Sequence, residues 1–433
     1  MGEEKTSYFS FGMRLFKRNE KFLIEKNSVE SSFQNYLVAM GHNLEEDTKE
    51  EPNPLKIEFE SEIKREVKKF TNRKFDNIVF LAGAGASVVS KKSNATEKTE
   101  DNKNDIDSDC GKTVNMIAEN INTKLNEESD LYSLEELAEK AHYKNKVIDK
   151  NESKLSEDFD LEDFLSGVIH FEPYIDDKEE KYIATKKRVL EIIKENTSYS
   201  YDGKKFKHEG ILNILTERIE APSKLSVITT NYDTVFEDAA ANQNYTVFDG
   251  FKFLAKPKFD SDMFNWNLVK EVSDIKTREL EYNKRVFNLI KLHGSLTWKR
   301  DEEGEIVRVL NGEKVEADDT VMIFPSSDKY AQSYQEPYFD LFTKFQELLK
   351  RKNTLLITAG FSFSDNHIFR MISQAVKNNK ELALLVTDYD IDQPNNKNWQ
   401  ELLNLSKDYH QVAFLKATMN DNLGTYLGDH NDN

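Results

Sequence analysis

Several short polar clusters each close an apolar run, and together they carry the residue types needed for anion binding and acid–base work. The first lies in NIVFLAGAGAS, residues 77–87, where Gly83, Ala84, Gly85 and Ser87 follow a continuous apolar stretch. Without Cβ atoms the glycines let the backbone turn tightly and let a phosphate approach its N–H groups. A helix starting near Ser87 would aim its positive end at that anion. The dinucleotide fingerprint asks for Gly or Ala at its sixth position, and Val88 stands there, so the run reads either as a nucleotide turn or as a strand packed against a helix. The second cluster, Thr230, Asn231 and Asp233, ends LSVITT; the third, His293, ends VFNLIKL; the fourth, Gly360, Ser362, Ser364 and Asp365, ends TLLITA; Asp388 ends LALLVT. An asparagine offers both an acceptor and a donor, and an imidazole titrates near neutrality. Singly these residues have plain structural uses: Asn caps helices and turns, and a His before Gly is ordinarily structural. Together they fall where open α/β sheets bind ligands, outside the carboxyl ends of the strands, and there they define one crevice.

The elements that must position them follow from the pattern. The apolar runs show no alternation, so their strands are covered on both faces, and strand, loop and helix recur in order. The expectation is an α/β, Rossmann-like parallel sheet with helices on both faces and a large helical insertion. Residues 1–55 read as an N-terminal leader, able to dock on another subunit or to pack on its own domain. Residues 56–110 and 219–433 read as the sheet domain and 111–218 as the insertion. Helices are expected over 55–75, 131–141, 155–169, 182–193, 334–350 and 366–376. Residues 91–109, polar and charged, read as a mobile surface loop. Gly111-Lys112-Thr113 lacks the upstream glycine of a P-loop, where Ile106 stands, and reads as a helix start. Glu162 and Asp163 read as first-turn acids. Residues 302–319 suggest a hairpin turning at Asn311-Gly312, and 254–285 are polar and hard to assign.

With 433 residues the chain can bury a large core. The 60 basic and 78 acidic residues give a formal net charge of -18, which disfavours loose binding to nucleic acid over the whole surface. One cysteine, Cys110, can form neither an internal disulfide nor a four-cysteine zinc site. This usage points to an intracellular, cytoplasmic protein without a structural zinc. The first residues lack a secretory apolar region, and no stretch approaches the ~20 apolar residues of a membrane span. Gly2 and Thr6 fit the bare myristoylation pattern, but nothing nearby supplies a second membrane signal.

GAGAS at 83–87, TTNYD at 229–233 and KLHGS at 291–295 stand in the order of the sirtuin motifs, and GFSFSD at 360–365 resembles the sirtuin G-T-S loop. The chain departs from sirtuin deacylases in its single cysteine, in Thr230 where those enzymes carry glutamine, and in its helical insertion. In these respects it is similar to the sirtuin-like NAD hydrolases of bacterial antiphage defence. GFSFSDNHI and the overall length look most like the subunit that partners a HerA-type ATPase.

The resemblance implies that NAD is the substrate, with Gly83, Ala84, Gly85, Ser87, Thr230, Gly360, Ser362, Ser364 and Asp388 binding it and Asn231, His293 and Asp233 acting in catalysis. It also implies a homo-oligomer, a HerA-type ATPase as partner and control by assembly. Elementary chemistry agrees. Cleaving the nicotinamide–ribose bond leaves an oxocarbenium-like centre that needs a held water. Asn231 can hold the ribose or the water, Asp233 the nicotinamide carboxamide, and His293 can act as general base. His367 reads as a weaker catalytic candidate at a helix start. Tyr232, Trp298 and Phe361 read as core or as pocket walls. Alternative readings are an NAD-dependent deacylase or ADP-ribosyltransferase, or a non-catalytic NAD or ADP-ribose sensor.

Overall fold

The computed structural model describes residues 9–11, 54–89, 111–149, 154–156, 158–175, 179–272, 280–310, 313, 315, 320–322, 336–391, 393, 395–409 and 411–428. In chain order they form β1 (Phe9–Phe11), α1 (Pro54–Thr71), β2 (Asn77–Ala82), α2 (Val114–Glu127), α3 (Leu134–Lys140), β3 (Ile148–Asp149), β4 (Lys154–Leu155), α4 (Leu161–Phe171), α5 (Glu180–Thr197), α6 (His208–Glu217), β5 (Leu225–Thr229) and α7 (Val235–Asn242). There follow β6 (Thr246–Phe248), β7 (Val269–Glu271), β8 (Leu280–Tyr282), β9 (Val286–Lys291), β10 (Gly294–Arg300), β11 (Ile306–Arg308), β12 (Thr320–Met322) and α8 (Tyr338–Lys350). The chain continues through β13 (Thr354–Ala359), α9 (Asn366–Asn378), β14 (Leu382–Asp388), α10 (Lys397–Asp408), β15 (Val412–Lys416) and α11 (Leu423–Leu427).

The central sheet has eight strands in the order β1-β15-β14-β13-β2-β5-β9-β6. Seven are mutually parallel, and β1 pairs antiparallel with β15 at one edge. This is the Rossmann-like α/β fold expected from the unbroken apolar runs. Successive residues of β2 explain those runs: Ile78, Phe80 and Ala82 enter a core shared with α1, α6, α7 and α11, whereas Val79 and Leu81 enter a core shared with α8, α9 and α10. A strand that meets a helical layer on each face has no polar side to show. Of the leader, Phe9–Phe11 covers the sheet edge; residues 12–53 and the loop expected at 91–109 lie outside the described residues.

The insertion has its own core, in which α2, α3, α4 and α5 bury Ile121, Leu137, Phe164 and Ile192 together with Tyr232, Leu296 and Met322. It therefore rests on the loop after β5 and on strands β10 and β12. The last helix of the 111–218 segment, α6, packs instead with the main sheet. No helix among the described residues is long and apolar enough to cross a membrane.

Several boundaries differ from expectation, each for a local reason. The expected helix over 131–141 begins at Leu134, because Ser133 and Glu136 close a capping box there. The expected helix over 155–169 begins at Leu161, because Lys154–Leu155 pairs with β3. The hairpin turns at 301–305, where Asp301 accepts from the N–H groups of Glu303 and Glu305, and so joins β10 to β11. Asn311 and Gly312 lie outside the described residues. Thr113 caps α2, as the helix-start reading of Gly111-Lys112-Thr113 requires. The unassigned 254–285 stretch contributes β7 and β8.

Ile357 stands fully buried on β13, near the middle of the sheet. Ile357→Ala should lower unfolding free energy by about 2–5 kcal/mol, the usual cost of emptying such a site, as measured by urea denaturation.

Candidate active site

The register of the sheet brings the clusters to one level. Thr387 pairs with Ala359, Ala359 with Ala82, Ala82 with Thr229, and Thr229 with Lys291. Asp388, Gly360, Gly83, Thr230 and Leu292 are thus each one residue past their neighbour's strand end, along a single edge. Strands β9 and β14, which lead to His293 and carry Asp388, lie four strand spacings or roughly 19 Å apart along this edge. The chain leaves β2 toward β5 and leaves β13 toward β14, so the strand order reverses between β2 and β13. Open α/β sheets bind ligands at such a switch point.

The two turns at that point interlock through backbone. Gly83 N–H donates to Ala359 O at 3.0 Å and Gly85 N–H to Gly360 O at 2.9 Å. A Cβ on Gly83 would stand 2.6 Å from Gly360 O, and one on Gly360, whose φ is +56°, would stand 2.4 Å from Ala86 N. The glycines therefore serve close approach between the turns, and the N–H groups of Gly83 and Gly85 are engaged within the fold. Ala84 is the exposed residue of the turn. Among the described residues no helix starts at Ser87: Ala84–Ala86 makes a single 3₁₀ turn. Asn420 Nδ2 donates to the carbonyls of Ala86 and Val88 at 2.8 and 2.9 Å, which diverts them from a continuing helical ladder. The anion-binding helix dipole expected at this position is accordingly not built by the described residues.

Beside the turn, Asn231, Asp233 and Ser87 form one network. Asn231 Nδ2 donates to Gly83 O at 3.0 Å and to Ser87 Oγ at 2.9 Å. A carbonyl can only accept, so this contact fixes the amide's orientation and leaves its oxygen as the end available to a ligand. Ser87 Oγ donates in turn to Asp233 Oδ2 at 2.7 Å, and Val235 N–H donates to Oδ1 at 3.2 Å. Ser87 and Asp233 are buried. Burial pushes the Asp233 carboxyl up, against the pull of Lys291 and the Ser87 hydroxyl. Ser87 is thus turned inward as a bridge between Asn231 and Asp233. Thr230, half-buried, donates its N–H to Ala82 O at 3.2 Å.

Lys291 lies beneath this network, 1% exposed. Its ammonium donates to the carbonyls of Tyr232 and Asp233 and meets Glu237 Oε1 at 2.8 Å. Leu292 N–H and Leu296 N–H donate to Thr229 O and Tyr232 O at 2.9 and 3.1 Å. These bonds tie the segment bearing His293 to the segment bearing Asn231. The imidazole is buried, and its Nε2 lies 3.3 Å from Asp365 Oδ2, an ion-pair distance without hydrogen-bond alignment. His367 begins α9, where its ring packs edge-on against Phe342 and burial lowers its pKa.

Ser362 and Ser364 are exposed and joined Oγ to Oγ at 3.1 Å; Asn396 and Asn398 hold the carbonyls of Ser362 and Phe363. Asp388 is buried, with Asp390 N–H donating to its Oδ1 at 3.2 Å, and burial pushes its carboxyl up to about 7. Phe361 packs beneath Gly83, and Trp298 is core beside Phe251. Sequence reasoning passed over Lys291 and Asn420. A lone lysine inside VFNLIKL is a readable sign of a paired buried charge. Asn420 carries no such sign, since its partners lie more than 330 residues away.

Ser87→Ala removes the donor to Asp233 Oδ2 and an acceptor for Asn231. It should cost about 1–3 kcal/mol of stability in chemical denaturation. Asp388 has a folded-state pKa above its unfolded value, so its contribution is present at low pH and is lost as pH rises from about 4 to 7. Relative to wild type, the melting temperature of Asp388→Asn should therefore rise from pH 4 to about pH 7 and level off above it, in paired calorimetric scans.

A family model described as a SIR2-like domain matches residues 225–407. The matched stretch holds Asn231, Asp233, His293, the Gly360–Asp365 loop and Asp388, and it begins after the glycine turn. No curated protein matches the chain. Among the described residues no group of three or more His, Cys, Asp or Glu side chains is disposed to hold a metal ion. Over residues 225–407 the chain is similar to SIR2-like domains; the match supports a sirtuin-like family and fits an NAD-using activity.

Proposed function

We propose that the protein is an NAD+ glycohydrolase that splits NAD+ into nicotinamide and ADP-ribose. The observation that carries this reading is the pairing of Asn231 and His293 on adjacent, mutually bonded segments beside the glycine turn. An extended dinucleotide would run along the sheet edge, its adenosine ribose toward Asp388 and its nicotinamide ribose toward Asn231 and His293. In that pose the exposed Ser362 and Ser364 hydroxyls and the Ala84 segment face the pyrophosphate. The Asn231 amide oxygen, its NH₂ already held, accepts from a ribose hydroxyl or the attacking water. As the nicotinamide–ribose bond breaks, its electron pair leaves with nicotinamide, and the water oxygen bonds to the anomeric carbon. His293 takes the proton that water releases. Asp233, held up in pKa by burial, is suited to pair with the nicotinamide carboxamide.

Hydrolysis is favoured over acyl-lysine chemistry because the single cysteine denies the zinc module beside which sirtuins build their peptide groove. On the same resemblance we place the reaction in antiphage defence by NAD depletion. The protein would be a cytoplasmic homo-oligomer that works with a HerA-type ATPase, the ATPase touching any nucleic acid.

Nicotinamide release should be measured on the purified protein, alone and with the co-purified ATPase. The wild type should consume NAD+, and Asn231→Ala and His293→Ala should each fall by about 10²-fold or more in kcat. Tight NAD+ binding without turnover in every form would instead make the protein a sensor.

A further inference from the structure

We infer that Asp365 is the positioning residue of His293, selecting which ring nitrogen acts as base; this rests on the reading of His293 as a general base. Two observations carry it. His293 Nε2 is sealed from solvent and lacks a hydrogen-bond partner, and a carboxylate oxygen, Asp365 Oδ2, stands 3.3 Å from it. A buried ring nitrogen left unpaired is costly, and a small rotation toward Asp365 satisfies it. Catalytic contacts are commonly long in a free enzyme and tighten with substrate bound.

The carboxylate is itself rigidly held. Asp365 caps α9, its Oδ1 accepting from His367 N–H at 2.9 Å and Ile368 N–H at 3.1 Å. Its negative charge lies at the positive end of a thirteen-residue helix. One oxygen is thus occupied by the cap and the other is aimed at the imidazole. The pair spans the site: Asp365 follows β13 and His293 follows β9, with β2 and β5 between those strands. Other charged groups nearby are His367 and Arg370 on α9, with Arg370 and His293 both lowering the pKa of His367, and Asp233, Lys291 and Glu237 below the adjoining loop.

The consequence is a tautomer. A carboxylate only accepts, so it holds the proton on Nε2 and leaves the Nδ1 lone pair free to take a proton from water or a ribose hydroxyl. When Nδ1 does so, Asp365 faces the imidazolium and stabilises it, as the orienting acid does in other base–acid pairs.

Two substitutions separate this role from the cap. Asn and Ser are as good as Asp at a helix N-cap, so Asp365→Asn and Asp365→Ser should fold with melting temperatures close to wild type. Neither presents a carboxylate to Nε2. In ring-nitrogen NMR of the full chain, with His293→Ala to assign the signal, the wild type should show a single Nε2–H tautomer and both variants a mixture. In nicotinamide-release kinetics both should lose about 10²-fold in kcat, with KM changed less than about threefold. A wild-type tautomer mixture, or variants that keep the wild-type tautomer and kcat, would overturn the assignment. If the wild type turns over no NAD+, the proposed function fails, and the NMR comparison still decides the role of Asp365.

Discussion

Backbone meeting backbone at the point where the strand order reverses is the constraint on which the rest of the site depends. Gly83, Gly85 and Gly360 let the turn after β2 and the turn after β13 pack with no side chain between them. That contact sets the spacing of the two turns, since a Cβ on any of these glycines would collide with the facing backbone and force the turns apart. It also explains why N–H groups that a glycine-rich turn is expected to offer to an anion are here engaged by neighbouring carbonyls. The turn is scaffold first, and the exposed Ala84 and the serines of the facing loop are what remain for a ligand.

On this scaffold the polar groups are held from below and from the side. Lys291 is a charge buried inside a strand, and its removal would take the ammonium contact from Glu237 and from the Tyr232 and Asp233 carbonyls. Buried charges of this kind are weak evidence for stability but good evidence for a required geometry. Here the geometry is that of the Asn231–Asp233 turn, whose carbonyls are drawn down to the ammonium while its side chains meet Ser87. The Asn231 amide is then left with one orientation, its NH₂ held by Gly83 O and Ser87 Oγ.

The helical insertion belongs to the same argument. Its core includes Tyr232 and Leu296, neighbours of the Asn231 and His293 segments. Insertion and candidate site are therefore one packed body on that side, and a movement of the insertion would be felt at the loops bearing Asn231 and His293.

The strands were legible because doubly covered β-structure must be apolar at every position, and β2, β5, β9, β13 and β14 were read close to their observed bounds. Their order was not: nothing in the sequence says that β13 returns beside β2, because that depends on which helical layers pack on which face. The clusters at the strand ends were legible beside the strands, since each polar group directly follows an apolar run. What each does there was less so. Ser87 reads as a ligand contact and in the structure bridges Asn231 and Asp233, Asp365 reads as a member of the strand-end cluster and in the structure caps α9 and faces His293, and Asn420 gave no sign at all. By itself the sequence determined the fold class, the strand ends and the residue types available there, all of which follow from local burial. Which of those residues touch was decided only by tertiary structure, because hydrogen bonds between segments hundreds of residues apart leave no local pattern.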